Sequence, residues 1–421
     1  MSATTTVLEN ITPSLNVPLE FADLFNFLEQ RLLTFGASVA SQWDGVKNPK
    51  LVSGVELVPM DSSDSLLQPN YFQQFVAPYL DALQQVGAKV VKVQIGFPLL
   101  FQPYYQQVFG SLDNFNQRLS VYRQMMSELR SRGMKVVVQS VITPASGGSQ
   151  NDKSLVSYYN SLSFQDYIQG RAANAVAVAQ LLAPDFLNYE SEPDTEGLKA
   201  LRPELNPSSN AFTISNLLLV TSIRDALEAA NIPGLHSTIR TAIGLGTWTS
   251  AFSTLVSAYT KMSNVDIIDI HVHPINDAGS DDNLQRIITA MDAAIAAGKS
   301  VGMDEEWMDK SRVSEQGQID PTVIDARSLF SFWSPLDKAF MQTLTMIAHW
   351  KRAEYLSMSI PNTFFAALDY QNTPGCPAPP SSAATPEQWQ AAMNALLLPA
   401  ILKPRLALTD TGVAYQTTLL S

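Results

Sequence analysis

The chain has 421 residues, 46% of them hydrophobic, with a formal net charge of −12 and only 27 Lys or Arg. That is enough apolar side chain for one large core. An acidic surface repels phosphate backbones, so nucleic acid is excluded as an expected partner while neutral ligands stay open.

The single cysteine, Cys376, rules out an internal disulfide and a cysteine-held zinc, and no run of 18 apolar residues suggests a membrane span. The N-terminal stretch MSATTTVLENITPSLNVPLE has neither the basic nor the apolar region of a signal peptide. It leaves the compartment open, because removal of a leader from a secreted or periplasmic protein gives the same reading.

In chain order, short β-branched runs alternate with longer helical patterns. Strand patterns fall at Val52–Pro59, Lys89–Ile95, Lys135–Ile142, Asp185–Glu190, Leu235–Ile243, Val265–Val272, Ser300–Glu305 and Thr363–Leu368. Each is followed by a helix pattern: Tyr71–Val86, Asn114–Arg132, Phe164–Leu182, Ile214–Ala230, Ser250–Met262, Asn283–Ala297, Pro335–Leu356 and Pro386–Leu402. Gly87, Gly133 and Gly298 read as helix stops.

Eight strand–helix pairs is the number that closes a (β/α)8 TIM barrel, an α/β fold. The competing architecture is an open doubly wound sheet, which carries a glycine fingerprint in its first turn. Here that turn reads PMDSSDSLLQPN, without glycine. The expectation is one barrel domain over 51–421, with an N-terminal extension over 1–50 packing on it. A helix near Phe21–Leu33 would plug or flank the barrel bottom. The long loops all follow strand C-termini, including LLFQPYYQQVFGSLD, TPASGGSQNDKSLVSYYN and QNTPGCPAPPSSAATPEQ, which marks that rim as the functional face.

Two carboxylate positions stand out on this rim. The fourth strand ends in PDFLNYESEPDT, and alternation turns Asn188, Glu190 and Glu192 toward the axis, with Glu192 at the mouth. The seventh ends in GKSVGMDEEWMDK, which brings Glu305 or Glu306 to the same mouth. Glycoside hydrolysis needs two such groups, one to protonate the leaving oxygen and one to attack the anomeric carbon or activate water. The structural reading of Glu192 is a helix N-terminal acid. That of Glu190 is an ion-pair partner for Lys92 or Arg240. Rim aromatics Phe97, Tyr104, Tyr105, Trp248, Trp307 and Tyr370 suit the apolar faces of sugars, or pack beneath loops.

On these residues the chain resembles the clan A glycoside hydrolases over about 51–370. In that clan the acid/base Glu ends strand four, typically as Asn-Glu-Pro, and here the motif is Ser191-Glu192-Pro193. GKSVGMDEEW aligns without gaps to the clan pattern GKPVWITEFG, which puts the nucleophile at Glu305. Some clan relatives place Trp directly after the nucleophile, which selects Glu306 before Trp307 instead. The sixth strand, VDIIDIHVHP, resembles the clan's strand ending in His-x-Tyr, with His271 on the His and His273 on the aromatic position. GAKVVKVQIGFP resembles the segment whose Arg supports the nucleophile, with Lys92 in its place.

The resemblance implies a retaining glycosidase on a neutral oligo- or polysaccharide, without metal or organic cofactor. Its substrate-binding residues would be His271, His273, Trp248, Trp307, Lys92 and Tyr370. Strict alternation with Glu305 inward also turns Met303 and Val301 inward, whereas Glu306 inward would bury Gly302 and Asp304. Departures at Ser191, at Lys92 and in the histidine-free third strand VVVQSVITP keep a non-catalytic carbohydrate-binding barrel as the alternative. A metal-dependent amidohydrolase is a further reading of His271-x-His273. It expects that motif on the first strand and more histidines than the four present.

Overall fold

The computed structural model describes residues 17–60, 65–143, 150–273, 275, 282–315, 321–359, 361–370, 386–403 and 405–419. Helix α1 (Leu19–Gln42) precedes β1 (Val52–Glu56), α2 (Ala77–Gln85), β2 (Val90–Gln94), α3 (Gln102–Phe109), α4 (Asp113–Ser131) and β3 (Lys135–Gln139). Then follow α5 (Gln150–Ser161), α6 (Phe164–Leu182), β4 (Phe186–Asn188), α7 (Pro193–Lys199), α8 (Phe212–Ala229) and β5 (Arg240–Gly246). The chain continues through α9 (Phe252–Lys261), β6 (Ile267–His271), α10 (Asn283–Ala296), β7 (Ser300–Glu306) and α11 (Pro321–Arg327). It ends with α12 (Ser334–Trp350), β8 (Tyr355–Met358), α13 (Pro386–Ile401) and α14 (Asp410–Leu419).

All neighbouring strands pair in parallel, and β8 closes on β1, so the sheet is a closed eight-stranded barrel, as expected. β-Branched runs such as VVKV and KVVVQ fit a sheet covered on both faces. Gly87, Gly133 and Gly298 take left-handed φ of 92°, 68° and 75° and stop the helices before them. Ser163 and Asp282 cap α6 and α10 by accepting the amides of Asp166 and Leu284.

One apolar layer fills the lower barrel: Val90, Val137, Phe186, Ala242, Ile267 and Tyr355. The Tyr355 ring occupies the space a side chain at Gly302 would need, since a Cβ there would lie 2.4 Å from its Cζ. The larger core lies between strands and helices and includes Val301 and Met303. α1 flanks the barrel, burying Phe21, Leu24, Phe25, Leu28 and Leu32, each side chain contributing roughly 1.5–3 kcal/mol of transfer free energy. Phe25 stacks on Trp333 at 5.9 Å, and Arg31 reaches Asp282 at 2.7 Å.

Two strand boundaries differ from expectation. The eighth strand is Tyr355–Met358, not Thr363–Leu368. Apolar periodicity runs unbroken from α12 into AEYLSM, and the helix ends without glycine because Arg352 takes φ 57°. Residues 361–364 form a 3-10 turn instead. The fifth strand begins at Arg240, not Leu235, and runs on to Gly246. Residues 234–238 turn back on the Gly234 carbonyl. Gly244 belongs inside the strand because a Cβ there would lie 2.7 Å from the Asp269 carbonyl. Cys376 and most of its loop lie outside the described residues.

Candidate active site

Above the apolar layer the barrel interior is polar. Asp304 on β7 is fully buried and accepts from Asn188 Nδ2 (β4, 2.9 Å), Gln139 Nε2 (β3, 2.9 Å) and His271 Nε2 (β6, 2.5 Å). Asn188 also donates to Asp269 at 2.9 Å, and Asp269 lies 3.2 Å from His271 Nε2. The other ring nitrogen, Nδ1, meets Glu192 Oε1 at 2.9 Å. His271 therefore bridges Glu192 at the mouth to a carboxylate pair on the barrel floor.

Burial alone would deprotonate this histidine, but Asp304, Asp269 and Glu192 outweigh it and hold its pKa well above the ordinary value. Asp304 is held well below the carboxylate range: burial is outweighed by the imidazolium and three donated hydrogen bonds. Asp269, buried beside the Asp304 charge, is pushed well above the ordinary carboxylate value, toward the neutral form.

Glu192 lies at the N-cap of α7 but makes no side-chain cap hydrogen bond; its carboxylate is turned to His271. Glu305 at the end of β7 is paired with Lys92 of β2 at 2.9 Å. Lys92 is 1% exposed and also pairs with Glu56 of β1. Burial would raise the Glu305 carboxyl, yet Lys92, His271 and His273 bring it to about 2. Glu192 and Glu305 line one open cavity of about 480 Å³, with Gln94, Gln139 and Glu190 beside them.

Glu306 points the other way. It is fully buried, accepts the Val272 amide at 3.0 Å, and lines a separate cavity of about 390 Å³ with Lys310, Asp337 and Met341 of the outer layer. Burial pushes its carboxyl well above the usual range.

The inward face of β7 differs from the one expected with Glu305: Asp304 and Gly302 point inward, while Met303 and Val301 belong to the outer core. Asp304 finds its partners in His271, Gln139 and Asn188. Arg240 pairs with Glu354 at 2.9 Å. Glu190 lacks both partners named for it and lies 3.7 Å from Arg171.

Of the other anticipated binding residues, His273 and Trp248 stack at 4.6 Å, and Trp307 lies 5.3 Å from His273, giving a half-buried aromatic wall at the mouth. His271 is buried beneath Glu192, and Lys92 beneath Glu305, so each contacts a rim glutamate. Tyr370 is elsewhere, packed on Phe21 and Phe330 and bonded to Glu20. Phe97, Tyr104 and Tyr105 are buried under loops in an aromatic cluster. Asp304, Asp269, Gln139 and Glu56 were not singled out from the sequence.

Among the described residues, two groups bring three donor atoms within 4.8 Å: Glu192, His271 and His273, and Asp269, His271 and Asp304. Their atoms already answer one another. His273 Nε2 reaches the Glu305 carbonyl at 2.9 Å, which requires that nitrogen to carry its proton, and both His271 nitrogens face carboxylates. This donor set suits a proton-bearing relay rather than a metal.

No protein-family profile matches the chain, and no curated protein matches it. Solved structures with a similar fold include the GH53 catalytic domain of Ignisphaera aggregans, at 12% identity and TM-score 0.48, over 76% of this chain and 88% of that one. GH26C from Muricauda sp. is 12% identical with TM-score 0.44, over 94% and 97%. The GH1 beta-glucosidase from Exiguobacterium antarcticum is 10% identical with TM-score 0.43, over 74% and 89%. The chain is similar to these glycoside hydrolases in its barrel architecture, and the roles of individual residues rest on the geometry above.

Proposed function

We propose that the protein is a retaining glycosidase acting on a neutral oligo- or polysaccharide. Glu305 is the nucleophile and Glu192 the general acid/base. The observation that carries this is the placement of two carboxyl groups in one cavity at the barrel mouth, each with its own basic partner. Glu305 is held anionic by Lys92, and Glu192 is tied to an imidazolium.

In the first step Glu305 attacks the anomeric carbon while Glu192 gives its proton to the departing glycosidic oxygen. In the second, Glu192 takes a proton from water, which displaces Glu305 and restores the anomeric configuration. His271 is a positioning residue, since it acts through Glu192. Trp248, His273 and Trp307 offer rings for a sugar face.

The reading is tested by screening aryl β- and α-glycosides and following the first-formed product anomer by proton NMR. Glu192→Gln is expected to spare activated aryl glycosides and abolish hydrolysis of poor leaving groups, and Glu305→Gln to abolish both. Inversion, or equal loss in the Glu192 variant on both substrate types, refutes the assignment. Ser191, where the resembled motif has Asn, favours a second reading in which the cleft binds sugars without turnover. Sugar binding without hydrolysis by the intact protein would select it.

A further inference from the structure

One glutamate lining the mouth cavity has no part in the chemistry above. Glu190 is fully buried, neither of its carboxyl oxygens accepts a hydrogen bond from the described residues, and the carboxyl group beside it is that of Glu196. Arg171 is the cation beside it, 3.7 Å away and beyond hydrogen-bond range. That guanidinium is committed elsewhere. Its Nε and Nη2 each hold a Glu196 oxygen at 2.8 Å, and its remaining N–H groups reach the carbonyls of Ser140 and Tyr189. Glu196 also accepts the Tyr167 hydroxyl at 2.5 Å. The Arg171–Glu196 pair is thus complete without Glu190, which argues against a purely structural duty for it.

An isolated buried carboxylate is costly, and such a group neutralises instead. Burial, Glu196 and Glu192 together push Glu190 well above the carboxylate range, and Arg171 offsets this only in part. Glu190 stands on the wall of the cavity that holds Glu192 and Glu305, its carboxyl pushed toward the neutral form.

Resting on the glycosidase reading, we propose that Glu190 is a substrate-binding acid that holds a hydroxyl of a neutral sugar beside Glu192. A carboxylic acid offers one O–H donor and an acceptor oxygen, the complement of a hydroxyl, which accepts and donates. The same wall discriminates by charge. A uronic acid would bring a carboxylate to a cavity lined by Glu192, Glu196 and Glu305, against the ammonium of Lys199. The class selected is the uncharged hexose or pentose residue.

The test uses the full-length Glu305→Gln protein, which binds without turnover. Calorimetry is run with neutral cello-, manno-, xylo- and galacto-oligosaccharides, a uronic acid oligomer and a glucosamine oligomer, before and after adding Glu190→Ala or Glu190→Gln. The neutral sugar that binds is expected to lose about tenfold in affinity in Glu190→Ala, equivalent to about 1.4 kcal/mol. In Glu190→Gln, which keeps a donor and an acceptor, the loss is expected to be smaller. Infrared spectra of wild type and Glu190→Gln at neutral pH are expected to differ by a protonated-carboxyl band. The isosteric Gln variant keeps the test readable if the Ala variant folds poorly.

Undiminished binding in Glu190→Ala overturns this assignment and leaves the glycosidase reading standing. Preference for glucosamine oligomers, or absence of the protonated band, overturns the neutral-hydroxyl class. Failure of every neutral sugar to bind the Glu305→Gln protein overturns the carbohydrate reading and this assignment with it.

Discussion

Lys92→Met removes the cation that keeps Glu305 charged. Lys92 is 1% exposed and lies between Glu56 and Glu305, whose side chain is 24% exposed, so solvent screens the pair only weakly. The Glu305 carboxyl sits at about 2 against an ordinary 4.5, a gap worth on the order of 3 kcal/mol of preference for the anion, shared among Lys92, His271 and His273. A depressed carboxyl stabilises the fold above its ordinary pKa, and that contribution is lost as pH falls through the depressed value. Wild type therefore keeps Glu305 charged far into acid. In Lys92→Met, burial acts on Glu305 with His271 and His273 still beside it but without the Lys92 ammonium, and its pKa rises toward the ordinary value. The acid limb of kcat/KM is expected to move up by about one to two pH units. Unfolding free energy at neutral pH is expected to fall by about 1–3 kcal/mol, with the difference shrinking between pH 4.5 and 2. The assays are a pH–rate profile on whichever aryl glycoside turns over, and urea unfolding across the same pH range, which needs no substrate. Lys92→Arg is expected to retain both properties. Superimposable acid limbs and stability profiles for Lys92→Met and wild type would refute the reasoning.

Asp304→Asn removes the carboxylate that most strongly holds the His271 proton. A raised histidine pKa stabilises below the ordinary value of 6.5 and fades as pH rises through the raised one. The loss in Tm is thus expected to be largest in acid and to narrow in alkali, and a pH-independent loss counts against it. Glu306→Gln is expected to leave turnover within about twofold and to cost at most about 1 kcal/mol, because burial pushes the native carboxyl toward its neutral form and Gln keeps the oxygen that accepts the Val272 amide. Labelling of Glu306 by a 2-deoxy-2-fluoro glycoside would show that the nucleophile is misassigned. Gly302→Ala drives a methyl into the Tyr355 ring, and a cost of about 1–3 kcal/mol is expected by urea unfolding. No measurable cost would mean the ring is free to move aside.

The barrel was legible because its signal is repeated eight times, and each copy rests on local chemistry: β-branched runs, amphipathic helices and glycine stops. The two misread strands are places where that chemistry is silent. Arg352 ends a helix in a left-handed conformation that arginine does not advertise. The fifth strand was expected to end at Ile243, yet Gly244 and Gly246 lie within it and are the residues that let β5 pass Asp269 and Trp248. Partner choice was less legible still. Glu190, Lys92 and Arg240 were recognisable as interior or near-interior charges, but a one-dimensional pattern does not say that Arg171, on a helix, comes nearer Glu190 than either cation does.

β7 shows why the candidate site could be read only in part. Strict alternation offers a choice between an inward Asp304 and an inward Glu305, and a bulge at the strand end is what can change that choice. The pairing with β8 breaks that rule. Met303 opposes Leu356 and Glu306 opposes Met358, so three steps along β7 match two along β8 and one residue is extra. Such a bulge lets two consecutive side chains share a face. Asp304 then points down to His271, Gln139 and Asn188. Glu305 follows on the same side to meet Lys92 at the mouth, and Glu306 turns out behind the wall. One strand thereby supplies both the carboxylate that charges the His271 beneath Glu192 and the carboxylate opposite Glu192. A regular strand in either register would supply only one of them, leaving Glu192 without its imidazolium or the cavity without its second glutamate.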